Sequence, residues 1–163
     1  MNMNEEQLIR RDRMRFTKNT LSSGLALLGI LLNVLYFVSI YKSDVGSYYY
    51  NILIGASVLY NLIFMLVVFL SSEGVKGYKI GYAYALLVMG VLQIVRIFIL
   101  PMQAHAATAS ISGQDVAVMG NAQFVRVVIY LSLSAACCII AGIVAAQRSH
   151  KLAAYNASLI EKA

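Results

Sequence analysis

The chain has 163 residues, of which 60% are hydrophobic and 12% charged, and its formal net charge is +6. A soluble domain is about 45–50% apolar and about 25% charged, so one domain of this length could not bury so much apolar surface. One proline and two cysteines exclude a collagen-like chain and a disulfide scaffold. Lipid is therefore expected to surround most of the chain.

Four apolar segments follow one another along the chain, and each is long enough to cross a membrane as a helix. About 20 apolar residues span about 30 Å of hydrocarbon. The segments are too long and too uniformly apolar for barrel strands, which have about ten residues of alternating polarity. The sequence therefore predicts an all-α integral membrane protein, a bundle of four transmembrane helices with spans at residues 21–41, 50–70, 80–100 and 124–146.

The segments outside these spans are short, with one exception. Residues 1–20 form a basic N-terminal segment, and residues 147–163 form a C-terminal tail. We interpret the first span as a retained signal anchor, because its apolar run exceeds the 7–15 residues or so of a cleaved signal peptide. Pro101 is predicted to end the third span, which leaves residues 102–123 as the one long loop.

Basic residues are distributed unequally between the two sides of the membrane. Lys42 is the one basic loop residue on the side of the long loop. By the positive-inside rule, both termini are expected in the cytoplasm and residues 102–123 outside. No motif typical of nucleic-acid binding accompanies these charges. Ten basic residues lie on the predicted cytoplasmic side: Arg10, Arg11, Arg13, Arg15, Lys18, Lys76, Lys79, Arg148, Lys151 and Lys162.

Two asparagines lie at matching depths of the first two spans. Asn33 lies eight residues before the end of span one, and Asn61 lies eleven residues after the start of span two. The helical rise puts them about 12 and 17 Å from the outer ends, so the two amides can face each other. An interhelical hydrogen bond between them is the main expectation, and a solute site is the alternative.

Two arginines interrupt the apolar spans. Arg96 lies four residues from the end of span three with Gln93 on the same face, and Arg126 lies near the start of span four. Three explanations are open for the arginines: snorkelling to headgroups, pairing with Asp44 or Asp115, or binding an external anion, a lipid phosphate or a partner carboxylate. Because Gln93 is polar, the Arg96 guanidinium is expected to point into the bundle or at a neighbouring chain.

Small residues at four-residue spacing let helices approach closely, and two such lines are predicted packing seams. Whether each seam faces another span or another protein stays open at this stage. The seams consist of Ser134, Cys138, Gly142 and Ala146 in span four, and of Gly77, Gly81 and Ala85 at the start of span three.

Recognisable catalytic chemistry is missing from the sequence. Cys137 and Cys138 are adjacent rather than separated by two residues, and His105 and His150 stand alone. The spans contain no Asp or Glu for acid–base work. We therefore expect a protein that is not an enzyme and has neither a cofactor nor a metal.

Two functions remain as the main hypotheses. The first is an accessory or structural subunit of a larger membrane complex, such as a transporter. The second is a small oligomeric carrier or binder of an anionic solute or lipid, using Arg96, Arg126, Gln93 and Asn61; a membrane enzyme is a third and weaker hypothesis.

The expected partners are the lipid bilayer and either other membrane subunits or further copies of the chain. The small size and short loops favour a plasma membrane, which the chain would cross several times.

Overall fold

A computed structural model describes residues 6, 18–40, 48–106, 108–111, 114–117 and 119–161. The described residues include four long helices, and each contains a segment long and apolar enough to cross a membrane. The predicted helical, multi-pass architecture is therefore confirmed. The helices are α1 (Thr20–Ile40), α2 (Tyr48–Lys76), α3 (Ile80–Ala106) and α4 (Asn121–Glu161).

The helices form a closed ring in which each packs against two neighbours. The contacts of α4 with α1 and α3 are the most extensive, and α2 completes the ring between α1 and α3. Large apolar side chains such as Leu31, Leu66, Val88, Phe98 and Ile140 point outward and are about half exposed. A surface of this kind suits hydrocarbon rather than water.

Helix α3 does not end at Pro101, contrary to the prediction, but continues to Ala106. Proline cannot donate a bond to the carbonyl four residues earlier, yet membrane helices tolerate it where neighbouring groups compensate. Pro101 is buried in the bundle. The predicted loop 102–123 also contains two short strands that pair antiparallel, β1 (Thr108–Ile111) and β2 (Gln114–Ala117).

Helix α4 is longer than the predicted span. Its 41 residues extend about 61 Å, twice the thickness of the hydrocarbon. The predicted boundary at Ala146 is not a break in the helix, because no glycine or proline follows Gly142. Most of the predicted tail is therefore a continuation of α4.

The turn between α2 and α3 contains an unusual backbone conformation. Tyr78 has a φ of 58°, in the left-handed region that favours glycine. The Lys79 N–H donates to the Gly74 carbonyl at 3.3 Å, and the Tyr78 N–H donates to the Val75 carbonyl at 3.2 Å. These are the two bonds of a Schellman motif with a tyrosine at the position that glycine usually takes. The Ser149 hydroxyl of α4 donates to the Tyr78 carbonyl at 3.0 Å and anchors the turn.

The end of the bundle that contains this turn is held together by Asn19. Its side-chain oxygen accepts a bond from the Arg148 guanidinium at 3.0 Å, and its backbone N–H donates to the Lys76 carbonyl at 3.3 Å. Asn19 thus links the start of α1 to the end of α2 and to the interior of α4. We call this the basic end, after Lys18, Lys76, Lys79, Arg148 and Lys151, and the opposite end, which carries β1 and β2, the hairpin end.

The buried apolar residues form two separate clusters. One, toward the basic end, includes Ala26, Phe64 and Leu86. The other, toward the hairpin end, includes Tyr36 and Leu131. Helices α1, α3 and α4 each contribute residues to both clusters. On each of these helices, polar residues lie between the segment that packs in one cluster and the segment that packs in the other.

Candidate functional site

A layer of polar side chains lies between the two apolar clusters, and every helix contributes to it. All of its members are at least nine-tenths buried. Polar groups at such depth are costly in a membrane, so the layer is the principal candidate site. We define the polar layer as Asn33 of α1, Ser57 and Asn61 of α2, Gln93 and Arg96 of α3, and Ser134 of α4.

The predicted hydrogen bond between Asn33 and Asn61 is present. The Asn33 Nδ2 donates to the Asn61 Oδ1 at 3.0 Å. The two depths derived from helical rise therefore correspond to a real contact between α1 and α2.

Arg96 points into the bundle, one of the two orientations expected from its sequence neighbours, and is 6% exposed. Its Nη1 donates to the Asn61 Oδ1 at 2.7 Å and its Nη2 to the Ser57 Oγ at 2.6 Å. Longer bonds of 3.4 Å reach the Asn33 Oδ1 and the Ser57 carbonyl. Arg96 also lies farther from the end of its helix than expected, since α3 continues ten residues, or about 15 Å, beyond it.

Two tyrosine rings flank the same guanidinium. The Arg96 Cζ lies 4.4 Å from the ring centroid of Tyr36 and 4.7 Å from that of Tyr60. Both distances are within the range of cation–π attraction, which strengthens where water is excluded. The cation is therefore stabilised by aromatic faces as well as by neutral oxygens.

Gln93 extends the polar layer to α4. Its Nε2 donates to the Asn33 Oδ1 at 2.9 Å and, at 3.4 Å, to the Ser134 Oγ. The Ser134 hydroxyl in turn donates to the Gly29 carbonyl of α1 at 2.8 Å. Because Asn33 Oδ1 accepts from both Gln93 and Arg96, the orientation of each amide in this chain of bonds is determined by its partners.

Some hydrogen-bonding capacity in the layer is not used by the described residues. Among them, no partner is found for the Asn61 Nδ2, the Gln93 Oε1 or the neighbouring Tyr60 hydroxyl. Buried atoms of this kind cost free energy unless a water or a ligand satisfies them. The layer can therefore hold a cation and has both donor and acceptor positions left beside it.

Arg126, the second predicted anion-binding arginine, does not join Arg96. It is exposed near the start of α4, eight residues or about 12 Å along the helix from Ser134. The two arginines therefore lie in different surroundings: Arg96 is buried in the polar layer, and Arg126 is exposed. The two predicted acidic partners cannot be placed beside either arginine, because Asp44 lies outside the described residues and the side chain of Asp115 is not described.

Comparisons with known protein families, curated proteins and solved structures found no match to this chain.

The packing seam of span four faces other helices of the same chain. A Cβ on Gly29 of α1 would lie 3.1 Å from the Cys138 Sγ. A Cβ on Gly142 would lie 2.9 Å from the Ala83 carbonyl of α3. Ala146 packs against the apolar cluster at the basic end. The sequence left the partner of this seam open, and the structure assigns it to α1 and α3.

At Gly77 and Gly81, the second predicted seam does not pack against another helix of the described chain. Gly77 lies in the turn before α3, which begins at Ile80, so it cannot continue a helical line. A Cβ on Gly81 would meet no atom within 4 Å. The glycine that does bring α3 close to α4 is Gly90, whose Cβ would meet the Ala135 carbonyl at 3.2 Å.

Three partners of Arg96 were not predicted from the sequence. Ser57 lies one helical turn before Asn61, and Tyr36 lies three residues after Asn33. These spacings place Ser57 and Tyr36 on the same helix faces as the two asparagines. Tyr60 had no such signal. Elsewhere in the described part of the chain, no three His, Cys, Asp or Glu side chains are grouped as a metal site would require.

Proposed function

We propose that the chain is a non-enzymatic accessory or structural subunit of a larger membrane complex, such as a transport complex, in a plasma membrane. The observation that carries the proposal is the polar layer. Its donors and acceptors join α1, α2, α3 and α4 to one another, which is the arrangement of a rigid scaffold. In this topology the basic end faces the cytoplasm, because it carries most of the described Lys and Arg residues.

The outer surface of the bundle offers room for a partner. Gly24, Gly55 and Gly81 lie on open faces, where a Cβ would meet no atom of the described residues within 4 Å. Arg126 is exposed near the hairpin end, where a partner's carboxylate or a lipid phosphate could reach it. The packing seam of span four already contacts α1 and α3 within the chain. The open glycines and Arg126 are therefore the features that support binding to another subunit.

A second candidate function is the binding of an anionic solute or lipid. The unused donors Asn61 Nδ2 and Tyr60 hydroxyl, beside a buried guanidinium, favour it. Its weakness is that four bonds from Arg96 already go to neutral oxygens, which an anion would have to displace. We therefore rank it below the subunit.

Purification from native membranes separates the two candidates. A tagged chain is extracted in mild detergent, and its bound proteins and lipids are quantified by mass spectrometry, with an unrelated tagged four-span protein as the control. Stoichiometric partner proteins absent from the control support the subunit. A homo-oligomer that carries a bound anion or anionic lipid, lost in Arg96→Gln, supports the binder. A bare monomer contradicts both.

A further inference from the structure

The surroundings of Arg96 form a cage, which we define as Asn33, Tyr36, Ser57, Tyr60 and Asn61. All five residues belong to α1 and α2, whereas the guanidinium that fills the cage comes from α3. We propose that the α1–α2 hairpin contains a binding site for a guanidinium-class cation, and that Arg96 occupies this site as a tethered ligand. This inference does not depend on the proposed subunit role.

The faces of the cage match a flat cation. A guanidinium is planar and weakly hydrated, and it stacks on aromatic rings more readily than an ammonium does. The rings of Tyr36 and Tyr60 lie 4.4 and 4.7 Å from the Arg96 Cζ. The two rings therefore select for a flat, positively charged group.

The acceptors of the cage match the edge of the same cation. The oxygens of Asn61, Ser57 and Asn33 receive bonds from both terminal nitrogens, and each nitrogen donates to two oxygens. A guanidinium carries its donors in a rigid fork, so this pattern of acceptors fits it better than it fits a tetrahedral ammonium.

The Asn33–Asn61 bond gives the cage a stability of its own. This bond, at 3.0 Å, joins two of the walls without involving Arg96. The amide oxygens of Asn33 and Asn61 are also the acceptors that face the cation. Removal of the Arg96 side chain should therefore leave the walls in place around a vacant site that a free guanidinium ion can enter.

The test is chemical rescue of Arg96→Ala in detergent. Guanidinium chloride should raise its unfolding temperature in a saturable manner, with half of the effect at about millimolar concentration, far below denaturing levels. Urea has the same shape without the charge, methylammonium has the charge without the plane, and sodium chloride matches the ionic strength; each should give a much smaller rise. The native chain should not respond, because Arg96 fills its cage.

Cage variants make the result specific. Tyr60→Leu and Asn61→Leu, each combined with Arg96→Ala, should lose most of the rescue, whereas Leu66→Ala on the exposed face of α2 should retain it. An absence of rescue, or equal rescue by urea or sodium chloride, overturns the proposal. If Arg96→Ala is not recovered folded, Arg96→Ser is extracted with and without guanidinium. A yield unchanged by guanidinium then also overturns it.

Discussion

Gly142 brings α4 so close to α3 that a Cβ on it would lie 2.9 Å from the carbonyl oxygen of Ala83 and 2.8 Å from the Cγ of Leu87. The first obstacle is backbone and cannot change rotamer. The contact therefore depends on the absence of a side chain at this position.

Gly142→Ala should destabilise the bundle by about 1–3 kcal/mol, because the added methyl group forces α3 and α4 apart. Gly24→Ala is the matched control, since a Cβ there meets no atom within 4 Å and helix propensity favours alanine by about 1 kcal/mol. Thermal unfolding in detergent measures both. Similar unfolding temperatures for the two variants would show that the close approach at Gly142 does not contribute to stability.

The close contact at Gly142 also predicts which of two leucine substitutions is more harmful. Gly142→Leu should disrupt the bundle more than Ile143→Leu, because Ile143 is 44% exposed and lies about 100° around the helix. The fraction of monodisperse protein after extraction reports the difference. Equal tolerance of both changes would indicate that this side of α4 faces lipid.

Arg96→Lys should destabilise the protein by about 2–4 kcal/mol despite keeping the charge. Lysine lacks the planar fork that reaches both Asn61 and Ser57, and it stacks less well on the tyrosine rings. Arg126→Lys is the control, because Arg126 is exposed and its substitution should be nearly silent. A silent Arg96→Lys would mean that the hydrogen bonds of the fork contribute little.

The bond between Asn33 and Asn61 should appear as a coupling energy. Asn33→Ala, Asn61→Ala and the double variant form a thermodynamic cycle, for which we expect coupling of about 0.6–1.7 kcal/mol, as for interhelical bonds in membranes. Asn61→Ala alone should be the more harmful single change, because it removes the 2.7 Å acceptor of the charged Arg96, whereas Asn33→Ala removes the acceptor of the neutral Gln93 and a longer bond of 3.4 Å to Arg96. Strict additivity would contradict an energetic role for the bond.

Tyr78 offers a test of backbone strain at the α2–α3 turn. Tyr78→Ala removes the ring and keeps a Cβ in the left-handed conformation, whereas Tyr78→Gly removes the ring and relieves the strain. The glycine variant should therefore be about 1 kcal/mol more stable than the alanine variant. The difference in their unfolding temperatures isolates the strain, since both variants lose the same ring. An alanine variant as stable as the glycine variant would refute it.

The proposed orientation can be tested in intact cells. Cysteines introduced at Ser47 and Ser112 should react with a membrane-impermeant thiol reagent, and one at Ser158 should not. The unsubstituted chain is the control for Cys137 and Cys138, which are partly and fully buried in the bundle. Labelling at Ser158 would reverse the assignment of the basic end to the cytoplasm.

The sequence was sufficient for the features that depend on composition and helical rise. The four helices and the meeting of Asn33 with Asn61 follow from these two quantities alone. The distance of Arg96 from the end of its helix was harder to predict, because it depended on whether α3 stops at Pro101, and proline is a weaker stop signal in a membrane than in water. Gly77 does not belong to the predicted seam, because four-residue spacing aligns side chains only within one helix and α3 begins at Ile80.

The division of the core by the polar layer fixes the axial register of the helices. Apolar helices surrounded by lipid can slide along one another at little cost, since one aliphatic contact replaces another. A slide of one turn here would move Asn33, Asn61, Gln93 or Arg96 into an apolar cluster and leave its partners unsatisfied. Because each helix carries a member of the layer, all four heights are set together, and with them the position at which the long α4 leaves the membrane.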